Sequence, residues 1–205
     1  MSKTTADVMA GFLKDLQSAP KRIAPEREKE LNEGVYLGGA WSVRTCEGEA
    51  MFYAMPGDDE IAVSTAGLAS LWCLAHVAMH SMDISSRAQR QEQSEGPVDI
   101  SAEYHGRRLD EYIQYARSLF HSDKPWPDDL PLPDIDAAPG SLQGRVNNVF
   151  FGAAAWLLLH EIAHLHLGHQ KQSPANMRVR DEHQADAFAT DWILLHAGNG
   201  LNLEF

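Results

Sequence analysis

His160, Glu161 and His164 stand in the pentapeptide HEIAH, inside the stretch VFFGAAAWLLLHEIAHLHLGH at 149–169. At about 100° per residue, two helical positions four apart lie roughly 40° apart on one face. Both imidazoles therefore converge on one point, the arrangement of a zinc peptidase helix. Glu161 neighbours His160 and is too short and wrongly aimed to be a third ligand. It is placed instead to take a proton from an attacking water.

HExxH is short enough to arise by chance, and its polar residues would then simply meet solvent or each other. The setting argues against that. Eleven apolar residues, Val149 to Leu159, run directly into His160. A helix of that composition is buried on most sides, and buried His and Glu need partners.

The second half of the site follows in DEHQADAFATDWILL, where Glu182 and Asp186 are again four apart, on a helix expected over about 180–195. Four-coordinate catalytic zinc takes three protein ligands and leaves one position open. Glu182 supplies the third ligand, and Asp186, one turn later, accepts the outer ring N–H of a ligand His and fixes its tautomer. Taken alone, this acidic pair reads as a solvated face; HEIAH changes that reading.

Other third ligands fit less well. The metzincin pattern places Gly three and His six residues after the second His; here Gly168 and His169 come four and five after His164. His166 points about 200° away from His164 on the helix. His169 follows the helix-stopping Gly168 and reads as a cap of the last turn. His183 faces away from Glu182's side of its helix. Loss of His166 or His169 is expected to leave the metal in place.

HEIAH followed by an ExxAD stretch resembles the gluzincin metallopeptidases and, more narrowly, the Lit-like phage-exclusion peptidases of bacteria. The matching stretches are IAPEREKEL at 23–31, VSTAGLASLW at 63–72, Trp126-Pro127, AAAWLLLHEIAH at 153–164 and ADAFATDWIL at 185–194. They are in the family's order. The resemblance implies a dormant protease that, on a phage signal, cleaves a host translation factor; elongation factor Tu is the family's associated substrate and a phage capsid peptide the trigger. Gluzincins often add a Tyr or His oxyanion donor from beyond the third ligand, for which His196 is the nearby candidate. Family members continue well beyond the second site helix, so either a truncated chain or a shorter branch of the family is expected here.

Composition bounds the alternatives. The 205 residues are 44% hydrophobic, enough for one core, so a single domain over 1–205 is the expectation. A net charge of −12 argues against nucleic acid and against an anionic membrane surface. Cys46 and Cys73 form no disulfide framework and read as free thiols of a reducing cytoplasm. The N-terminus lacks the apolar core of a secretory signal. The longest apolar run is too short to span a membrane.

The elements that must position the site are those of an α+β, zincin-like protein, mostly helical with a small antiparallel sheet. Val8, Met9, Phe12, Leu13 and Leu16 predict a helix over 5–17 that Pro20 breaks. A charged helix then runs from Pro25 through Leu31 to Gly34. Strands are predicted over 35–45, 49–55 and 60–65, with Pro56–Asp59 as a hairpin loop. Strand 60–65 or 49–55 is the candidate edge for an extended substrate. Thr65 caps a helix over 66–82, whose His76 and His80 lack a following Glu and read as structural. A loop covers 84–100, and a helix from Ser101 to about His121 follows. Five prolines make 123–140 a stiff connection to Ser141, the cap of the metal-binding helix.

The expected chemistry is zinc-assisted peptide hydrolysis, with His160, His164 and Glu182 holding Zn2+ and Glu161 as general base and then acid. Two other readings compete: an ImmA-like protease that cuts a repressor, and a catalytically silent, metal-stabilised binding module.

Overall fold

The computed structural model describes residues 2–92, 97–169 and 174–194. It is α+β, 63% helical with one three-stranded sheet. The described residues form two compact units, the first within 1–12, 47–51 and 64–151, the second within 13–46, 52–63 and 152–205.

The first unit is built on α5 (Thr65–Glu92), α6 (Ser101–Gly106), α7 (Leu109–Ser118) and the first part of α8 (Leu142–His166). Ser64, not Thr65, caps α5: its Oγ accepts the Gly67 N–H at 2.9 Å, while Thr65 Oγ1 bonds Thr5 Oγ1. Helix α5 also continues past Met82 through the stretch expected to be a loop. Nothing from Ile84 to Glu92 breaks a helix, Ile84 is buried, and Arg87 pairs with Asp83 one turn back. The helix expected over 101–121 is instead two, because Arg108 turns into the left-handed region at φ 57° between α6 and α7.

Buried aromatics with polar handles pin the proline-rich connection to this unit. Trp126 Nε1 donates to Leu130 O, Tyr115 Oη to Lys124 O and Tyr112 Oη to Pro131 O. Trp72 Nε1 donates to the buried Asn147 on α8, whose amide donates to Asp134 O at 2.7 Å. Ser141 Oγ accepts the Gly144 N–H and caps α8. Gly144 is required there, since a Cβ would lie 2.1 Å from Ala138 O.

His76 and His80 are structural. His76 stacks between His80 and Tyr112, at 4.0 and 4.2 Å between ring centroids. The Nδ1 of His80 meets the Arg107 guanidinium at 2.9 Å, which excludes a metal at that atom.

The second unit contains α2 (Ala19–Ile23), a 3-10 turn at Pro25–Arg27, α3 (Glu28–Glu33), α4 (Tyr36–Gly39), β1 (Ser42–Cys46), β2 (Phe52–Met55), most of β3 (Glu60–Ser64), the rest of α8, and α9 (Ala175–Leu194). The last residues of α1 (Thr5–Leu16) also belong to it. Pro20 opens α2 rather than only ending α1, since a helix's first turn needs no N–H from it. The single charged helix expected over 25–34 is a 3-10 turn followed by α3. The strand expected from residue 35 begins at Ser42. Gly38 and Gly39, both at positive φ, close a helical turn before it.

The sheet has the order β1-β3-β2 and is mixed, not antiparallel throughout. Strands β2 and β3 pair antiparallel, with Phe52 opposite Val63 and Ala54 opposite Ile61. The Ser42 N–H bonds Asp59 O, so β1 starts beside the start of β3 and runs with it. Strand β1 therefore finishes at the end where β2 begins, and residues 47–51 suffice to join them. With β3 central, it is not an available edge; β2 is.

Helix α8 buries Ala154, Ala155, Leu158, Leu159, Ile162 and Ala163 in the second unit, and α9 buries Asp181, Ala185, Ala189 and Trp192. Each buried Leu or Ile contributes about 1.5–3 kcal/mol. Trp156 Nε1 donates to Thr190 Oγ1 at 3.2 Å and ties α8 to α9. Arg27 secures the end of α9: its guanidinium lies 3.7 Å over the Trp192 ring and donates to Trp192 O. By length and composition α8 is apolar enough to cross a membrane, beyond what its eleven-residue apolar run indicates; half of its most apolar window is buried within the protein, as in a core helix.

Candidate active site

Two helices and one strand of the second unit build the site. On α8, His160 and His164 project from one face, with Nε2 atoms 3.1 Å apart. Helix α9 brings Glu182 Oε2 to 3.2 Å from His160 Nε2 and 3.7 Å from His164 Nε2. The three donor atoms all lie within 4.8 Å of one another.

The outer face of each imidazole is also occupied. Asp186 Oδ1 lies 2.9 Å from His160 Nδ1, which places the ring proton there and leaves the Nε2 lone pair facing inward. His164 Nδ1 lies 2.9 Å from His169 Nδ1. Burial, reinforced by the neighbouring His160, lowers the His164 pKa below its ordinary value and favours the neutral ring that ligates metals. With the His160 proton on Nδ1, the Nε2 pair at 3.1 Å and the Glu182 carboxylate need a proton or a cation among them. The donor set, two imidazoles and one carboxylate, fits zinc.

Glu161 is buried at 8% exposure and lines the same cleft as the donor cluster, against β2. Its Oε2 accepts the Ala54 N–H at 2.7 Å. Register explains why that N–H is available. The Ser64 N–H bonds Met51 O, so Met51 is in a hydrogen-bonded pair, and Phe52 and Ala54 direct their backbone groups away from β3. A cleft of about 450 Å³ opens over the cluster, lined by Phe52, Tyr53 and Pro56 on one side and by Arg178 on the other.

The remaining expectations sort as follows. His166 is exposed, its ring 5.8 Å from Phe188. His183 is exposed on α9. His196 lies outside the described residues. Sequence reading missed the contact of His169 with His164. It also missed Ala54, which no residue type could have betrayed, because only its backbone acts.

The profile of the peptidase U49 family matches residues 61–204, a span that contains both site helices. The chain belongs to that family. This U49 member is 26% identical over 191 residues to the "Cell death peptidase" of Escherichia coli (strain K12), a match that covers 87% of the chain. The chain spans 61% of that relative's length. No solved structure matches the U49 chain.

Proposed function

We propose that this U49 chain carries the catalytic site of a zinc-dependent, zincin-like endopeptidase of gluzincin type, acting in bacterial phage exclusion. The observation that carries the reading is the convergence of His160, His164 and Glu182 within 4.8 Å, beside a buried Glu161 on the same cleft. Zinc bound there would supply Lewis acidity to an attacking water and to the scissile carbonyl.

The chain's own residues do the rest. Glu161 takes the proton of the attacking water and returns it to the leaving amine. The Ala54 N–H holds that carboxylate against the strand. The outward backbone groups of Phe52 pair with an extended substrate lying along β2, so the strand that positions the base also aligns the peptide. Asp186 keeps the His160 proton on Nδ1, and its carboxylate is not consumed in the cycle.

For the biology, resemblance to Lit-like peptidases and to a relative named for cell death favours a host protein as substrate, elongation factor Tu first, and a phage-derived peptide as trigger. We place the enzyme in the cytoplasm: Cys46 and Cys73 are both free thiols. With a net charge of −12, nucleic acid is not proposed as a partner.

The test is a gel of purified elongation factor Tu incubated with zinc-loaded protein alone, capsid-derived peptides alone, and both, using this chain and, in parallel, its longer Escherichia coli relative. Cleavage should require both components and vanish with chelator or with Glu161→Gln. Absence of cleavage across the peptide panel would remove this substrate. Absence of hydrolysis on any protein substrate would favour the silent binding module instead.

A further inference from the structure

We propose that His169, backed by Asp181, is a positioning residue that holds His164 in the tautomer a metal requires; the inference rests on the metal reading above. It begins with how α8 ends. Gly168 adopts φ 70°, its N–H bonds Leu165 O, and the His169 N–H reaches back to His164 O at 3.0 Å. This is the paired reversal by which helices close on a left-handed glycine. It folds His169 back along the helix it has just left and sets its ring beside His164. Ring centroids are 5.0 Å apart and the two Nδ1 atoms 2.9 Å apart.

Two imidazole nitrogens at that distance need one donor and one acceptor. If His164 Nδ1–H donates, His164 Nε2 keeps its lone pair and faces His160 and Glu182. His169 then accepts at Nδ1 and carries its own proton on Nε2. The opposite assignment would put the His164 proton on Nε2, among the metal-binding donors, and block that ligand.

Asp181 decides between them. It is buried at 8% exposure and places Oδ1 3.9 Å from His169 Nε2. That is too long for a hydrogen bond, but the carboxylate's charge favours the proton on His169 Nε2 and so the productive tautomer of His164.

The arrangement parallels Asp186 and His160. Helix α9 thereby supplies Glu182 and, from the flanking positions 181 and 186, a carboxylate behind each histidine. Because His169 turns its nearest nitrogen to His164 and not to the donor cluster, it acts through that residue.

The test measures zinc affinity of the purified chain by competition with a chromophoric chelator, together with the visible spectrum of the cobalt(II) form and thermal melting of the metal-free protein. His169→Phe keeps a ring but removes the acceptor; it should weaken zinc about 10–100-fold and alter the cobalt spectrum. His169→Asn sets a side-chain oxygen near the Nδ1 position and should restore most of the affinity. If His169→Phe also lowers melting of the metal-free protein, Asp181→Asn carries the test and should weaken zinc in the same direction. A parent that binds zinc beside a His169→Phe variant of equal affinity would overturn this role alone. A parent that binds no zinc would overturn the metal reading and this inference together.

Discussion

Ala54, on the free edge of β2, donates its backbone N–H to Glu161 Oε2 at 2.7 Å. A strand edge thus meets the carboxylate that would act as base, in a cleft also lined by His160, His164 and Glu182. Under the proposed mechanism this contact would make the strand part of the catalytic apparatus as well as a rail for substrate.

It can be tested with proline, whose ring carbon replaces the N–H and pushes the Glu161 carboxylate off the strand. Proline is tolerated on an edge strand where the N–H points out of the sheet. Ala54→Pro should therefore leave the fold and zinc content intact. Loss of a hydrogen bond to a charged group, about 1.5–3 kcal/mol, predicts roughly a ten- to hundredfold fall in kcat. Unchanged kcat in a zinc-loaded variant would show that Glu161 does not depend on the strand.

Asp186 behaves differently from the base. Asp186→Asn removes the charge behind His160 Nδ1 and should weaken zinc about 10–100-fold while the metal-saturated enzyme keeps most of its turnover. Equilibrium dialysis against buffered zinc separates the two effects. Full affinity in the variant would contradict the role given to Asp186.

The site was legible because helical spacing is a strong constraint. HEIAH fixes which face two imidazoles share, and an acidic pair four apart does the same on α9. What escaped was carried by the backbone or by a reversal of the chain. Gly168 could be read as a stop, but not the fact that its left-handed turn returns His169 to His164. In the fold, β-favouring residue types and the Pro56–Asp59 turn located β2 and β3, yet pairing order is not local: β1 joins β3 from the far side. The polar end of α5 looked like a loop because its burial rests largely on Ile84 and its support on ion pairs. Arg108 at positive φ is set by its surroundings, where it binds both Glu111 and Asp129, and no helix-breaking residue type announces it.

The buried His76 predicts an acid-sensitive first unit. Burial, with further contributions from His80 and Arg107, lowers its pKa to about 3, and His80 is lowered too, chiefly by burial and Arg107. A histidine whose folded pKa is depressed stabilises the fold fully above about pH 6.5 and loses that contribution as pH falls towards 3. From His76 alone the loss is about 2 kcal/mol by pH 5. Melting temperature should fall between pH 7 and 5, and His76→Phe should flatten that dependence. An identical slope in the variant would argue against it.

Gly144 should resist substitution. A methyl group there would meet Ala138 O at 2.1 Å, a backbone atom that cannot swing aside. Gly144→Ala is expected to cost about 1–3 kcal/mol or more, despite the better helix propensity of alanine. Chemical denaturation measures it, and a stabilised variant would contradict the packing described at the start of α8.

Zinc stoichiometry tests the central claim most directly. Metal-free protein titrated with zinc should bind about one ion per chain. Glu182→Ala should lose most of that binding, while Glu161→Gln should keep the ion and lose hydrolysis by orders of magnitude. Normal zinc binding by Glu182→Ala, or equal loss of metal in both variants, would contradict the assignment of His160, His164 and Glu182 as the metal-binding set.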